Sequence, residues 1–186
     1  MKRTSLLAIV AALSFLAFSL TSEAKMPRLR GTVTRVIDGD TLEVKLSSGP
    51  IRVRLYGVDA PERRQTFGKE STAVLEELVG GKAVEIAPES QDRYSRIVGV
   101  VYVGKQNVNG EMIERGAAWA YRRYMHKSDA DYCRFEISAR KSKRGLWKAP
   151  EARAPWEFRR KGPFLDYSRE TEALCIASIG QSKSKR

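Results

Sequence analysis

Alternating hydrophobic and polar positions near the start of the chain predict a group of short β-strands. Residues 30–38, 41–46 and 51–56 each alternate apolar or β-branched residues with polar ones, which is the pattern of a strand with one buried face. The segments Asp38-Gly39-Asp40 and Ser47-Ser48-Gly49-Pro50 separate these strands and are typical of tight turns. The pattern therefore predicts a three-stranded meander.

Helical and extended segments follow the meander. A loop over residues 57–68 leads to a predicted helix over residues 69–79, which ends at Gly80-Gly81. The remaining predicted elements are strands over residues 82–87 and 96–103 with a polar turn at 88–95 between them, helices over residues 107–116 and 129–143, and an extended segment over residues 153–160 that closes the domain.

The order of these elements indicates a fold class. Five short strands with a helix between the third and the fourth predict a five-stranded Greek-key barrel of the OB type, with about three helices packed on it. We therefore expect a β-rich α+β fold. Barrels of this type bind oligonucleotides and oligosaccharides on one face, so the fold favours a binding function without establishing catalysis.

The first 24 residues have the composition of a secretory signal peptide. A positively charged start precedes an apolar run over residues 6–20, and Ser22 and Ala24 are the small residues of a cleavage site. An uncleaved membrane anchor is the alternative, because the uncharged run over residues 4–22 is just long enough to span a bilayer. The signal-peptide reading predicts a periplasmic or extracellular protein with no stable membrane association after cleavage.

The rest of the chain divides into a domain and a tail. Residues 25–160 have the length of one domain with a real hydrophobic core, and we expect it to be monomeric. Residues 161–186 form a polar, basic tail, which we expect to be disordered in part.

Charge points to a polyanionic partner. The chain carries 34 Lys and Arg against 22 Asp and Glu, a formal net charge of +12. Nucleic acid, anionic lipid and an envelope polymer are all compatible with this charge, as is a generically basic soluble protein. Charge alone does not choose between them.

Scarce histidine and cysteine exclude several kinds of active site. His126 is the only histidine, and it lies in a polar stretch typical of a solvated loop. A His-rich zinc site and a Ser-His-Asp triad are therefore not available. Cys133 and Cys175 are the only cysteines, and both a disulfide and two separate thiols stay open. A disulfide would join the C-terminal tail to the third helix.

Four carboxylates lie on turns at strand ends, namely Asp38, Asp40, Asp59 and Glu62. Turn chemistry explains Asp38 well, because Asp before Gly is favoured there for backbone reasons. It explains Asp40 and Asp59 poorly, because both converge with other acids. Like charges in one cleft repel unless a cation compensates them, and a hard divalent cation with oxygen ligands fits such a cleft.

Two arginines accompany these acids. Arg54 lies near the strand end that leads to Asp59 and Glu62, whereas Arg52 on the same face is typical of a solvated strand residue. Arg96 opens the fifth predicted strand. Guanidinium groups bind phosphate through paired hydrogen bonds, so two of them could clamp a scissile phosphate.

Several ordered motifs resemble those of the thermonuclease, or staphylococcal nuclease-like, family. They are IDGDT, VRLYGVDAPE, DRYSR, VNGEMIERGAAWAYRRY, KRGLW and PWEFRR, and together they run over residues 31–160. The chain departs from the family pattern at Ser95, where many members have glycine before the arginine. Glycine accepts a positive φ there more readily than serine does, so the turn that aims Arg96 could differ.

The resemblance implies a calcium-dependent nuclease that cleaves DNA and RNA with little sequence specificity and leaves a 3′-phosphate. It also implies residue roles: Ca²⁺ ligands at Asp40, Asp59 and the carbonyl of Ala60; a general base at Glu62; phosphate contacts at Arg54 and Arg96; nucleotide-pocket residues at Tyr94 and Tyr124; and an acid near the metal, not a ligand, at Asp38. The alternatives are a catalytically silent OB-fold module that binds nucleic acid and an exported protein that binds an anionic envelope surface.

Overall fold

Pairing between the third and the fifth long strands closes a barrel in the computed structural model, which describes residues 26–149, 151–161, 165–167 and 169–181. The predicted signal peptide, residues 1–24, and the polar chain end, residues 182–186, lie outside these ranges. The described part contains no helix with the length and apolar character needed to cross a membrane.

Eight strands are present in the described residues. Five are long: β1 (Leu29–Asp38), β2 (Thr41–Leu46), β3 (Gly49–Leu55), β5 (Ala83–Gln91) and β6 (Ile97–Val103); three have two residues each: β4 (Val58–Asp59), β7 (Gln106–Asn107) and β8 (Trp119–Ala120). The long strands pair in the order β3-β2-β1-β5-β6, and β6 also pairs with β3 in parallel. The predicted five-stranded OB-type barrel and the β-rich α+β class are confirmed.

The alternation that predicts the strands also determines which side chains fill the barrel. Leu42 and Val44 on β2 and Val53 and Leu55 on β3 are all buried. Burial of each such side chain contributes about 1.5–3 kcal/mol relative to exposure. Arg54 alternates with Val53 and Leu55, so its side chain lies on the outer face of the barrel.

Five α-helices occur in the described residues, more than the predicted three. They are α1 (Gly68–Val79), α2 (Val108–Glu114), α3 (Ala130–Lys141), α4 (Pro155–Arg160) and α5 (Glu172–Ala177). The first three match the predicted helices. Single 3₁₀ turns span Arg122–Tyr124, Lys127–Asp129 and Gly145–Lys148.

The prediction of an extended segment over residues 153–160 is wrong. Pro155 is the first residue of α4, where its fixed φ suits a helix and its missing N–H costs no hydrogen bond. Trp156 then packs against Trp119 at a centroid distance of 5.5 Å and stacks on Tyr121 at 5.5 Å. These aromatic contacts hold a helix of six residues that is too short to be stable by itself.

The tail is more ordered than its composition suggests. Helix α5 is capped by Thr171, whose side chain accepts a hydrogen bond from the backbone N–H of Leu174. A disulfide joins Cys133 on α3 to Cys175 on α5, with a Cα–Cα distance of 5.7 Å. The disulfide resolves the open question about the two cysteines and joins this part of the tail to α3.

A buried ionic network fixes the same segment to the domain. Glu136 is fully buried and accepts hydrogen bonds from Arg122 Nη2 at 3.0 Å and from the backbone N–H of Ala120 at 2.6 Å. Glu170 from the tail pairs with Arg122 at 2.7 Å and with Arg140 at 3.1 Å. Glu170 of the C-terminal segment and Glu136 of α3 are therefore neutralised by the same arginine, Arg122.

Candidate active site

Asp40 directly precedes β2 and is almost fully buried, with 4% of its surface exposed. Its Oδ1 accepts hydrogen bonds from Arg54 Nη1 at 2.5 Å and Thr41 Oγ1 at 2.9 Å, and its Oδ2 accepts one from the backbone N–H of Ala60 at 3.1 Å. Position 39, in the turn before Asp40, requires glycine, because a Cβ on Gly39 would lie 2.0 Å from Oγ of Ser71 on α1. Close packing of the turn on α1 thus fixes the Asp40 carboxylate.

Asp38 lies beside Asp40 in the same turn. Its Oδ1 accepts a hydrogen bond from the backbone N–H of Asp40 at 3.1 Å. Burial and the neighbouring charge of Asp40 raise the pKa of Asp38 to about 6. The structure thus places Asp38 at the end of β1, beside Asp40.

Asp59 is fully buried on β4, which pairs with β8. Its Oδ1 accepts a hydrogen bond from Arg54 Nη2 at 2.9 Å, so one guanidinium joins Asp40 to Asp59. Burial raises the pKa of Asp59, as does the charge of Asp40, whereas Arg159 and Arg54 act in the opposite direction. The predicted convergence of Asp40, Asp59 and Arg54 is observed.

Glu62 follows β4 in a loop and is 40% exposed at its side chain. Its backbone N–H donates to Gln65 Oε1 at 3.2 Å, and Gln65 Nε2 donates to the carbonyl of Arg153 at 2.5 Å. A Cβ on Gly68 would lie 2.0 Å from the carbonyl oxygen of Glu62, so the loop packs closely on the start of α1. The loop that carries Glu62 is therefore held between α1 and the segment that leads into α4.

Arg159 on α4 is a site residue to which sequence reasoning assigns no role. Its Nη1 and Nη2 donate to Oδ1 and Oδ2 of Asp59 at 3.1 and 2.8 Å, and its Nη1 also donates to Glu62 Oε1 at 2.8 Å. A signal was present in the motif PWEFRR, because a proline start followed by Trp156 and Arg159 at i,i+3 spacing is typical of one face of a short helix. Arg159 brings Glu62 into the cluster of Asp40, Asp59 and Arg54.

Arg96 is not joined to this cluster by a contact in the described residues. Its Nε donates to Asp92 Oδ2 at 2.8 Å. The residue before it, Ser95, adopts a φ of 60°, so the turn keeps the left-handed backbone that glycine would favour. Arg96 directly precedes β6, which pairs in parallel with β3, and Arg54 lies opposite Val98 in that pairing.

Tyrosine rings lie beside two separate parts of the candidate site: Tyr94 lies 5.5 Å from the guanidinium of Arg96, and Tyr121 lies near Asp59. Tyr94 and Tyr124 are 64% and 56% exposed. The ring of Tyr124 lies 5.0 Å from that of Tyr121, which stacks on Trp156. Burial and the charge of nearby Asp59 raise the pKa of Tyr121, a residue that the sequence did not single out.

The oxygen donors of the cluster fit a hard cation. The described residues contain no group of three or more His, Cys, Asp or Glu side chains arranged to hold a metal ion. A cation at Asp40 and Asp59 would therefore take two carboxylates and complete its shell with carbonyl and water oxygens, which calcium accepts. The guanidinium groups of Arg54 and Arg159 stand in for that positive charge on the two buried acids.

This arrangement combines the parts that phosphodiester hydrolysis requires. Arg54 is 19% exposed at its side chain, so it can contact a bound phosphate while it holds the acids. Glu62 is accessible to water and can accept a proton from it. Asp59 offers oxygen donors for a cation, and it is joined to Arg54 directly and to Glu62 through Arg159.

Known proteins are similar to this chain in sequence. A family model described as staphylococcal nuclease homologue matches residues 52–149, a range that contains Arg54, Asp59, Glu62 and Arg96 and ends before Arg159. A micrococcal nuclease of Shigella flexneri is 38% identical over 165 residues, which cover 84% of this chain and 95% of that protein. An uncharacterized endonuclease of Escherichia coli is 42% identical over 134 residues, which cover 72% of this chain and 86% of that protein. Protein ParB of Escherichia coli is 39% identical over 170 residues, which cover 87% of this chain and 96% of that protein.

Proposed function

This chain belongs to the staphylococcal nuclease family and is a phosphodiesterase, and from this premise we propose that it is an exported, calcium-dependent endonuclease that hydrolyses DNA and RNA. The observation that carries the proposal is the pair of buried carboxylates, Asp40 and Asp59, joined through the partly exposed guanidinium of Arg54. A buried acid pair with oxygen donors suits calcium, and an accessible arginine on the same acids suits a phosphate.

Asp40, Asp59 and the carbonyl of Ala60 are the proposed calcium ligands. When bound, calcium would supply Lewis-acid polarisation of a phosphoryl oxygen. The position of Ala60 supports its role as a ligand. Its backbone N–H donates to Asp40 Oδ2, so the backbone of Ala60 lies beside the first proposed ligand. Asp38 is proposed as a neighbouring acid that supports Asp40 through the turn.

Glu62 is the proposed general base. It would accept a proton from the attacking water during in-line displacement at phosphorus, a role that needs a carboxylate open to solvent. Arg54 would stabilise the charge that develops on the equatorial phosphoryl oxygens. Arg96 is the proposed second phosphate contact, held beside β3 by Asp92 until substrate binds.

The exposed rings of Tyr94 and Tyr124 are proposed to contact the substrate bases. Stacking on an aromatic ring is tolerant of sequence, because every base has a π-face. Little sequence specificity follows from such contacts. A product with a 3′-phosphate is part of the proposal, as the family resemblance implies.

Charge and the disulfide support the rest of the proposal. A net charge of +12 favours a polyanionic substrate, and we expect binding to weaken steeply as salt rises. The Cys133–Cys175 disulfide is typical of an oxidising compartment, which supports export to the periplasm or the medium. We propose that the exported protein acts as a monomer without stable membrane association.

Plasmid degradation tests this function. The purified protein should nick and linearise supercoiled plasmid at low salt with calcium, and it should stop when a chelator is added. Single-stranded RNA should be degraded under the same conditions. Cleavage that continues in excess chelator would overturn the calcium proposal, and no cleavage of either substrate would overturn the nuclease function.

A further inference from the structure

The guanidinium of Arg159 occupies both carboxylate oxygens of Asp59. Its two terminal nitrogens lie 3.1 and 2.8 Å from Oδ1 and Oδ2, which is a bidentate contact. One of these nitrogens also lies 2.8 Å from Glu62 Oε1. Arg159 therefore bridges a proposed calcium ligand and the proposed general base.

The charge balance of the site explains why a cation is required at this position. Asp40 and Asp59 are buried, and Asp59 has no exposed surface. Burial lowers the pKa of Arg159, but its hydrogen bonds and charge interactions with Asp59 and Glu62 raise that pKa above its usual value overall. Arg159 thus provides a permanent positive charge that compensates Asp59, which has no exposed surface.

Asp59 does not depend on Arg159 for its orientation. Its backbone is paired with Trp119 through β4 and β8, and Arg54 holds its Oδ1 from the barrel face. Loss of Arg159 would therefore leave the Asp59 carboxylate in place with one oxygen free. Charge compensation, rather than positioning of Asp59, is what Arg159 contributes.

The side chain of Arg159 can leave without unfolding its helix. Helix α4 is held by the stacking of Trp156 on Tyr121 and by its buried first residue, Pro155. The Arg159 side chain itself is 39% exposed. Its guanidinium can therefore turn toward solvent while α4 stays packed.

We propose that Arg159 is the counter-ion of the metal-free nuclease and that calcium must displace it from Asp59 to bind. A carboxylate oxygen can accept more than one partner, but Arg159 approaches Oδ1 and Oδ2 of Asp59 together as a bidentate fork. A calcium ion on the same carboxylate would lie close to that guanidinium, and the repulsion between the two positive charges favours the release of Arg159. The exchange deepens the proposed function and rests on it. Its consequence is that Arg159 lowers calcium affinity and stabilises the protein in the absence of calcium.

Calcium titration of matched variants tests the exchange. Isothermal titration calorimetry should show that Arg159→Gln binds calcium about tenfold more tightly than the wild type does. The charge-assisted contact that competes with calcium is then absent, and solvent screening of the half-exposed arginine limits the size of the gain. Arg160→Gln is the control, since it removes the same charge from the next, exposed position of α4, and its calcium affinity should stay within about twofold of that of the wild type. Arg159→Lys, which keeps the charge and loses the planar fork, should be intermediate.

Thermal melting gives a second readout that a purely structural role would not produce. Arg159→Gln should melt below the wild type in chelator, and this difference should shrink at saturating calcium, because displacement has already removed the contact in the wild type. Equal or weaker calcium binding by a folded Arg159→Gln overturns the exchange. Should that variant fail to fold, Arg159→Lys decides, and unchanged affinity there overturns the proposal.

The two proposals fail in different ways. If the wild type cleaves DNA with calcium and Arg159→Gln shows no gain in calcium affinity, the exchange alone is wrong. If neither protein binds calcium, both the calcium-dependent function and the exchange are wrong.

Discussion

Asp92 holds the guanidinium of Arg96 and the turn from which it leaves. Oδ2 of Asp92 accepts a hydrogen bond from Arg96 Nε at 2.8 Å, while Oδ1 accepts the backbone N–H groups of Arg96 at 3.1 Å and Tyr94 at 2.9 Å. Burial acts to raise the pKa of Asp92, but these hydrogen bonds outweigh it and the pKa is lowered. The two oxygens thus have separate roles, one for the backbone and one for the side chain.

Asp92→Asn separates those two roles. Asparagine keeps an oxygen acceptor for the turn and loses the charge that holds Arg96. We expect kcat on an oligonucleotide to fall about tenfold with little change in KM, because a mis-aimed guanidinium stabilises the transition state less well. Asp131→Asn removes a similar carboxylate from an exposed ion pair on α3 and should leave kcat unchanged. Wild-type turnover in Asp92→Asn would contradict a role for Asp92 in aiming Arg96.

Glu62→Gln tests the general base. Glutamine has the same size and can still accept the hydrogen bond from Arg159, so the loop should keep its structure. Turnover should fall by about 10²–10⁴-fold, the usual effect of losing acid–base catalysis, while nucleotide binding measured by fluorescence polarisation stays close to that of the wild type. Glu70→Gln on the exposed face of α1 is the matched control. Normal cleavage by Glu62→Gln would show that another group activates the water.

Arg54→Lys tests the bridge between the two buried acids. Lysine keeps the positive charge but cannot donate to Asp40 and Asp59 through a rigid fork. We expect the free energy of unfolding in chelator to fall by about 1–3 kcal/mol and cleavage to fall by about 10²-fold or more. The control is Arg52→Lys on the same strand, whose side chain is 61% exposed. Equal effects of the two substitutions would argue against a special role for Arg54.

Ser95→Gly should stabilise the protein. Ser95 has a φ of 60°, a left-handed conformation that costs a residue with a Cβ about 1–2 kcal/mol, and the greater unfolded-state entropy of glycine offsets part of the gain. A net increase of about 0.5–1 kcal/mol in the free energy of unfolding follows, measurable by urea denaturation. At Ser142, where φ is −87°, the same substitution should destabilise instead. A loss of stability in Ser95→Gly would mean that the serine side chain makes a compensating contact.

Reduction of the disulfide should lower stability. Cys133 and Cys175 are separated by 42 residues, and closing a loop of that size typically contributes about 2–4 kcal/mol. Urea denaturation with and without dithiothreitol measures this difference in the wild type. A double variant, Cys133→Ser with Cys175→Ser, should resemble the reduced wild type and should not respond to dithiothreitol. Mass spectrometry of the unreduced protein should find no free thiol.

The sequence predicts the barrel and half of the site for the same reason. Val53, Arg54 and Leu55 alternate regularly, and this local pattern determines both the buried face and the outward position of Arg54. The positions of Asp40 and Asp59 follow from the same strand pattern, because Asp40 directly precedes β2 and Asp59 is the last residue of β4. Local periodicity is sufficient wherever neighbouring strands bring residues together.

Arg159 and the Arg96–Asp92 contact could not be predicted in this way. The motif PWEFRR indicates a short helix with Arg159 on one face, but packing of Trp156 against distant aromatic rings determines where this six-residue helix lies. No local pattern reveals that position. Arg96 contacts Asp92 and not the acidic cluster because of side-chain geometry across a turn. Contacts of this kind arise from tertiary structure and not from propensity.

Closure of the barrel by β3 and β6 couples folding accuracy to enzyme activity. Arg54 lies opposite Val98 in this pairing, and side chains on a strand alternate between its two faces. A slip of one residue would turn Arg54 into the apolar interior and expose Val53 and Leu55 to water, so the barrel could not close. A molecule that has closed its barrel has therefore already aligned the strand that carries Arg54. Specific activity per folded molecule should be the same after any successful refolding, which makes cleavage a direct assay of folding yield.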